Sequence, residues 1–240
     1  ESSPVKELII KVIIPENKTL NYSVLNIEGE PLINNKNGKK TFTWTFNSLA
    51  ASSKDSYQDN YLSSSPRLIF STKNVQEAFA EFDSQQAFDY TTNESMTKFV
   101  SDIQKVEKDD LSLVLELQKT VSQNLVNLNI PLEHTGFRCR NSIDTWNSNQ
   151  GSKLEKAILL TSLLRNAGIK AEVVAVKPIS LYNKDIGNLM TIKDFKVKVQ
   201  LKKLGDIYLS SNKTDSQNQK YKLGEDVLIS LNNTQSKPEV

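Results

Sequence analysis

An α+β fold is the class that the sequence predicts, with an antiparallel β region first, then helices, then a second antiparallel sheet. Strand patterns fill residues 5–72, apolar residues at helical spacings follow them, and strict alternation returns between residues 169 and 209. Strands and helices in separate runs are typical of α+β proteins. Because the period changes at Thr72, we predict a β-rich, incomplete domain at residues 1–72 and a second domain at residues 73–240.

Composition excludes several classes of protein. The 240 residues include 30 Lys+Arg and 28 Asp+Glu, which are interspersed, so no nucleic-acid-binding face is indicated. No apolar run approaches the roughly 18 residues that span a bilayer. The single cysteine, Cys139, excludes an internal disulfide and a cysteine zinc cluster, and the single histidine, His134, argues against histidine-based metal sites. We therefore expect no cofactor, no metal and no nucleic-acid partner.

The β region predicts strands near residues 8–14, 20–27, 41–46 and 68–70. The first is a nearly continuous apolar run, which favours a strand buried on both faces. The third has Phe42, Trp44 and Phe46 on one face and threonines on the other, which is typical of a half-buried strand with its aromatic face in the core. Two segments are interpreted as a polar loop and an irregular crossing, at residues 34–38 and 48–65.

Helical spacing predicts three helices before Pro131. Their apolar positions span residues 75–82, 96–106 and 111–126, and the last helix can begin at a cap formed by Asp109 or Asp110.

The helix from Lys153 to Ala167 is the most strongly predicted element. Ser152 and Glu155 have the S-x-x-E spacing of a capping box, and Gly168 can supply a left-handed end. Apolar residues cover more than one face of this helix, so we expect neighbours on several sides. The sequence therefore predicts a central, buried helix.

Three strands are predicted after this helix, at residues 169–175, 195–201 and 207–209. A turn at Gly205 joins the last two into a hairpin. Lys196, Lys198 and Lys202 alternate along one strand, which favours a solvated face. Polar stretches follow at residues 212–221 and after Leu231.

Two stretches, Gly151-Ser-Lys-Leu-Glu-Lys-Ala157 and Leu163-Leu-Arg-Asn-Ala-Gly-Ile-Lys-Ala171, resemble the centre of a transglutaminase-like domain. Upstream, Val12-Ile-Ile-Pro15, Phe42-Thr-Trp44 and Pro66-Arg-Leu-Ile-Phe70 resemble the end of a β domain of uncharacterised function that precedes this core in many bacterial, especially Bacteroidetes, envelope proteins. The resemblance implies a cysteine-proteinase-like core, with a central helix packed on an antiparallel sheet, and a periplasmic or envelope location. The N-terminus carries no secretory signal, so the chain is either cytosolic or already processed, and we favour a piece excised from a longer protein.

The resemblance does not extend to the catalytic residues of the family. Its helix-start cysteine corresponds to Lys153, its histidine to Phe195 within residues 194–196, and its aspartate to a position near Ser210. A lysine ammonium at the helix start replaces the thiolate that the helix dipole would stabilise. We therefore expect a pseudoenzyme, a noncatalytic module for binding or assembly with an unknown protein, peptide or glycan ligand.

Cys139 and His134 offer an alternative, a cysteine-type hydrolase or acyltransferase. Arg138 and Arg140 could lower the pKa of the Cys139 thiol. However, the glycine-containing loop between the cysteine and the histidine sets no particular alignment of the two side chains. A structural spacer without any ligand is a third interpretation.

Overall fold

The computed structural model describes residues 3–51, 65–107, 109–214 and 226–231. Their elements confirm the predicted α+β class, with an antiparallel β region before the helices and a second antiparallel sheet after them. Two compact units divide the chain, Glu1–Ala78 with Asn183–Asn188 and Phe79–Tyr182 with Leu189–Val240. The change from strand to helix falls between Ser71 and Val75, while the first unit also includes the start of the first helix.

The strands in the described residues are β1 (Val5–Pro15), β2 (Asn21–Leu25), β3 (Leu32–Lys36), β4 (Lys39–Leu49), β5 (Arg67–Ser71), β6 (Val126–Asn127), β7 (Gln150–Gly151), β8 (Ala171–Pro178), β9 (Asp194–Leu201), β10 (Gly205–Leu209) and β11 (Asp226–Ser230). The α-helices are α1 (Val75–Asp83), α2 (Glu94–Val106), α3 (Asp110–Asn124), α4 (Ser142–Ser148) and α5 (Lys153–Asn166). None of them combines the length and the apolar character needed to cross a lipid bilayer.

The first unit has an aromatic core. Its three-stranded antiparallel sheet has the order β1-β4-β3, and β2 pairs with β5 in a second sheet. Phe42, Trp44 and Phe46 of β4 are buried together, as predicted from their alternation. Tyr22 packs edge-on against Trp44, with 5.2 Å between the ring centroids.

Strand β1 is largely exposed, so the prediction that it is buried on both faces is wrong. Leu8, Ile9 and Ile13 are 39%, 53% and 57% exposed. An apolar run indicates a strand but does not reveal whether a second layer covers its other face.

Strand β3 occupies much of the segment that was predicted to be a loop. Residues 32–36 pair with β4, and only the next two residues, Asn37 and Gly38, form the turn. Both have positive φ, at 54° and 71°, which is the backbone of a tight hairpin turn. The last three residues of β3, Asn34, Asn35 and Lys36, are polar and exposed, so their sequence pattern resembles that of a loop.

The second unit contains an antiparallel sheet of order β10-β9-β8-β11. The predicted hairpin of β9 and β10 is present, with Gly205 at a φ of 72°. Strand β11 pairs with β8 and was not predicted. Most of the predicted crossing and of the polar stretches lies outside the described residues, at 52–64, 215–225 and 232–240.

Helix α5 is the centre of the second unit. Its capping box is formed as predicted: the Ser152 N–H donates to Glu155 Oε2 at 2.8 Å and the Glu155 N–H donates to Ser152 Oγ at 3.4 Å. Every residue from Leu154 to Leu164 is buried. Helices α2, α3 and α4 and strands β8 and β9 all contact it. Glycine 168 follows with a φ of 81°, so the helix ends where the sequence predicts.

We expect Leu160→Ala or Leu163→Ala to lower the free energy of unfolding by about 2–5 kcal/mol, because each truncation leaves a cavity in a fully buried site. Chemical denaturation followed by circular dichroism measures the change. Val106→Ala, at a residue 74% exposed, is the matched control and should change stability by less than about 0.5 kcal/mol. Equal effects at the two kinds of position would show that α5 is not the core.

Candidate functional site

A cleft of about 260 Å³ lies at the N-terminus of α5. Three segments of the second unit form it: the stretch after β6, the start of α5, and the stretch that leads into β9. Its lining residues are Leu128, Asn129, Ile130, Pro131, Leu132, Glu133, Phe137, Ser152, Lys153, Leu154, Leu189, Met190, Ile192, Lys193, Asp194 and Phe195.

Lys153 and Asp194 line this cleft, and together with Lys196, which pairs with Asp194, they are called the ion cluster below. Lys153 Nζ lies 3.5 Å from Asp194 Oδ1, and Lys196 Nζ lies 3.1 Å from Asp194 Oδ2. Lys153 is the first residue of α5 and Asp194 is the first residue of β9. Two ammonium groups therefore share one carboxylate where helix and strand begin.

Lys196 contradicts the prediction that the lysine row of β9 is a solvated face. It is only 9% exposed. Lys198 is also mostly buried and pairs with Asp206 at 3.2 Å. Gln200 and Lys202 on the same face are exposed, so the prediction holds at that end of the strand, whereas Asp194 and Asp206 compensate the charges of Lys196 and Lys198.

Phe195 and Ser210, the other two positions that the resemblance matches to catalytic residues, have different surroundings. Phe195 lines the cleft and is 8% exposed. The Ser210 hydroxyl accepts from the Asn212 N–H at 3.3 Å, and its neighbour Ser211 donates to the Lys153 carbonyl at 3.0 Å. The end of β10 is thus joined to the start of α5.

Cys139 and His134 are not joined by a hydrogen bond in the described part of the chain. His134 is exposed in a short 3-10 turn, Leu132–Thr135. The Cys139 N–H donates to Gln85 Oε1 at 3.3 Å. Burial, with a smaller effect of the Glu155 charge, raises the pKa of the Cys139 thiol to about 12.

Burial determines the pKa of this thiol, and the nearby arginines do not lower it below its usual value. Arg140 is committed to Glu155, with its Nε 2.9 Å from Oε1 and its Nη2 3.0 Å from Oε2. Arg140 and Cys139 do line a second cavity of about 370 Å³, together with Arg138 and Glu155. A pKa raised in this way keeps the thiol protonated near neutral pH.

The Arg140–Glu155 pair was not predicted from the sequence, which indicated only the capping role of Glu155. The Arg140 N–H also donates to Glu155, at 3.1 Å, and Nη2 donates to the Gln150 carbonyl at 2.9 Å. Burial alone would raise the pKa of Glu155, but hydrogen bonds from Arg140 and from the Ser152 and Arg140 backbone lower it to about 2. This pair fixes the loop before α4 to the start of α5.

Lys156 is a second residue whose role was not predicted. It is fully buried, and its Nζ donates to the carbonyls of Ser122 and Leu125 at 3.3 and 3.2 Å. These carbonyls lie at the C-terminal end of α3, so the ammonium donates hydrogen bonds to groups that have no partner within the helix itself. Burial lowers the pKa of Lys156.

We expect Glu155→Gln to lower the free energy of unfolding at pH 7 by about 1.5–3 kcal/mol, because it replaces the charged acceptor of Arg140. In the native chain the ionised carboxylate stabilises the fold fully above its ordinary pKa of 4.5, and this stabilisation is lost as the pH falls towards 2. Denaturation at a series of pH values should show a smaller loss over this window in the variant. Glu133→Gln, at an exposed glutamate, is the control. An unchanged pH profile in Glu155→Gln would contradict the assignment.

Within the described ranges, no group of three His, Cys, Asp or Glu side chains is arranged to hold a metal ion.

Comparison with known proteins gives structural matches only. No protein-family model and no curated protein matches the sequence. A protein from Parabacteroides distasonis ATCC 8503, named a putative protease, matches with a TM-score of 0.83 and 27% identity over 96% of this chain and 44% of that chain. This chain therefore spans less than half the length of that protein.

Two other solved structures match at lower similarity. A protein from Cytophaga hutchinsonii named a putative cysteine protease has a TM-score of 0.42 and 11% identity over 96% of this chain and 72% of that chain. The periplasmic domain of TgpA from Pseudomonas aeruginosa has a TM-score of 0.38 and 12% identity over 88% and 73%. The match to the P. distasonis protein extends over both compact units. The chain thus has an antiparallel β region followed by a transglutaminase-like, cysteine-proteinase-like core, in which a central helix packs on an antiparallel sheet.

Proposed function

We propose that this chain is a noncatalytic transglutaminase-like module of a bacterial envelope protein, which uses the cleft at the start of α5 for binding or assembly. The observation that carries the proposal is the ion cluster. Lys153 begins the central helix with its ammonium 3.5 Å from Asp194, at the two positions where the family resemblance expects a thiolate and the region of its base.

The chemistry of these groups supports binding over catalysis. A cysteine at a helix N-terminus is activated because the dipole stabilises its thiolate, whereas an ammonium at that position is not stabilised by it. Lys153 and Lys196 both engage Asp194. Among the described residues that line the cleft there is no cysteine and no histidine, the residue types that would serve as nucleophile and base, and this supports a binding role.

The rim of the cleft suits a peptide segment. Ile130 and Met190 are 49% and 65% exposed, and the same cleft is lined by Lys153 and Lys193, which pair with Asp194 and Asp226. Apolar walls with a few polar groups are typical of binding clefts, and this combination fits a segment with apolar and acidic side chains. The envelope location belongs to the same proposal and rests on the sequence resemblance.

We expect the native chain to release no product from fluorogenic peptide amides and no ammonia from glutamine peptides supplied with a primary amine. Cys139→Ser should behave identically, and Lys153→Cys should remain inactive because a thiol alone lacks an orienting base. Fluorescence and ammonia release measure both reactions. Turnover that Cys139→Ser abolishes would establish the cysteine-hydrolase alternative and overturn the proposal.

We expect saturable binding of members of a peptide array that carry apolar and acidic residues. Ile130→Glu and Met190→Glu should each weaken binding about tenfold or more, because they introduce a charge into the apolar rim. Val106→Glu, at an exposed apolar residue outside the cleft, is the matched control and should bind like the native chain. Two outcomes would contradict a binding role for this cleft: the native chain binds no peptide saturably, or all variants bind as tightly as the native chain.

A further inference from the structure

Strand β1 presents a long apolar edge in the first unit. It has β4 on one side and, among the described strands, no neighbour on the other. Val5, Leu8, Ile9 and Ile13 are between 39% and 57% exposed along it. Unpaired backbone groups on such an edge are a template for pairing with another strand, and natural edges are usually short, charged or covered. β1 is eleven residues long and apolar over most of its length, and no described strand pairs with its outer side, so this edge can accept a further strand.

The pattern of charges on β1 indicates what the occupant is. The face of β1 that points away from the aromatic core carries Val5, Glu7, Ile9, Lys11 and Ile13, in the order apolar, acidic, apolar, basic, apolar. When this order is reversed, the acidic position lies opposite the basic one and apolar positions lie opposite apolar ones. A second β1, antiparallel and with Ile9 opposite Ile9, would bring Glu7 opposite Lys11 twice and Val5 opposite Ile13 twice.

Other registers lose this complementarity. A shift by two residues brings Glu7 and Lys11 opposite apolar side chains. A shift by one residue joins the open face of one sheet to the core face of the other, since successive side chains point to opposite faces. Opposite charges that face each other across strands stabilise a pair, while like charges weaken it.

We propose that β1 is a homodimer interface, in which it pairs antiparallel with β1 of a second copy about a two-fold axis at Ile9. The two three-stranded sheets then form one continuous sheet, and the same residues of both copies contribute, as in an isologous interface. The inference concerns the first unit alone and does not depend on the function proposed for the cleft.

Charge reversal tests the interface. The native chain should be dimeric in sedimentation equilibrium at about 100 μM. Glu7→Lys and Lys11→Glu should each weaken the dimer about tenfold or more, because each brings two pairs of like charges together. An equimolar mixture of the two variants should regain the affinity of the native chain, since a heterodimer restores opposite charges at both pairs.

Lys36→Glu is the matched control, because Lys36 is exposed on β3 at the opposite edge of the same sheet. It should leave the dimer unchanged. Thermal unfolding of each variant verifies that it is folded. A native chain that is monomeric at this concentration overturns the proposal. This is the result expected if another segment, and not a second copy, pairs with β1. A dimer that survives both reversals, or variants that do not recover on mixing, also overturn it.

Discussion

The burial of helix α5 from Leu154 to Leu164 is the constraint on which the second unit depends. Because helices and sheet strands contact it on several sides, no polar side chain of its middle turns can reach solvent. Thr161 and Ser162 therefore donate to carbonyls within the helix, those of Ala157 and Ile158, both at 2.9 Å. The Lys156 ammonium instead donates hydrogen bonds to the carbonyls of Ser122 and Leu125 at the end of α3. The packing of α3 on α5 is thus coupled to a single buried ammonium.

Local patterns predicted the elements well where the signal lies within one segment. The capping box of Ser152 and Glu155 and the aromatic face of Phe42, Trp44 and Phe46 each need only a few consecutive residues, and both are found as predicted. Strand β11 and helix α4 lack such signals. Helix α4 is only seven residues long, and β11 is recognisable chiefly by its pairing with β8.

The candidate site also contains some features that the sequence predicted and others that it did not. Family resemblance indicated Lys153 and the start of β9 as neighbours, and these two positions do lie at one cleft. The role of Asp194 between two lysines was not predictable, because an ion cluster depends on the distance between residues far apart in the chain. The same reason applies to Arg140 and Glu155, whose pairing requires α5 and the preceding loop to be folded together.

The residues that carry the family resemblance are explained by packing alone. The Arg165 guanidinium lies 4.0 Å from the centre of the Tyr90 ring, and its Nε donates to the Ala171 carbonyl at 2.8 Å. Gly168 takes the left-handed conformation that ends the helix. At Gly151, a side chain would come within 3.0 Å of Thr145, so a small residue is required there whatever the chemistry of the next turn.

These contacts separate two kinds of information in one stretch of sequence. The glycine, the cap and the Leu-Leu-Arg phrase position a helix start against two strands. The side chain of Lys153 is half exposed and adds an ion pair at the cleft, so it is not part of this packing. Resemblance in these residues therefore establishes the scaffold, whereas the function depends on the few side chains that the scaffold exposes at the cleft.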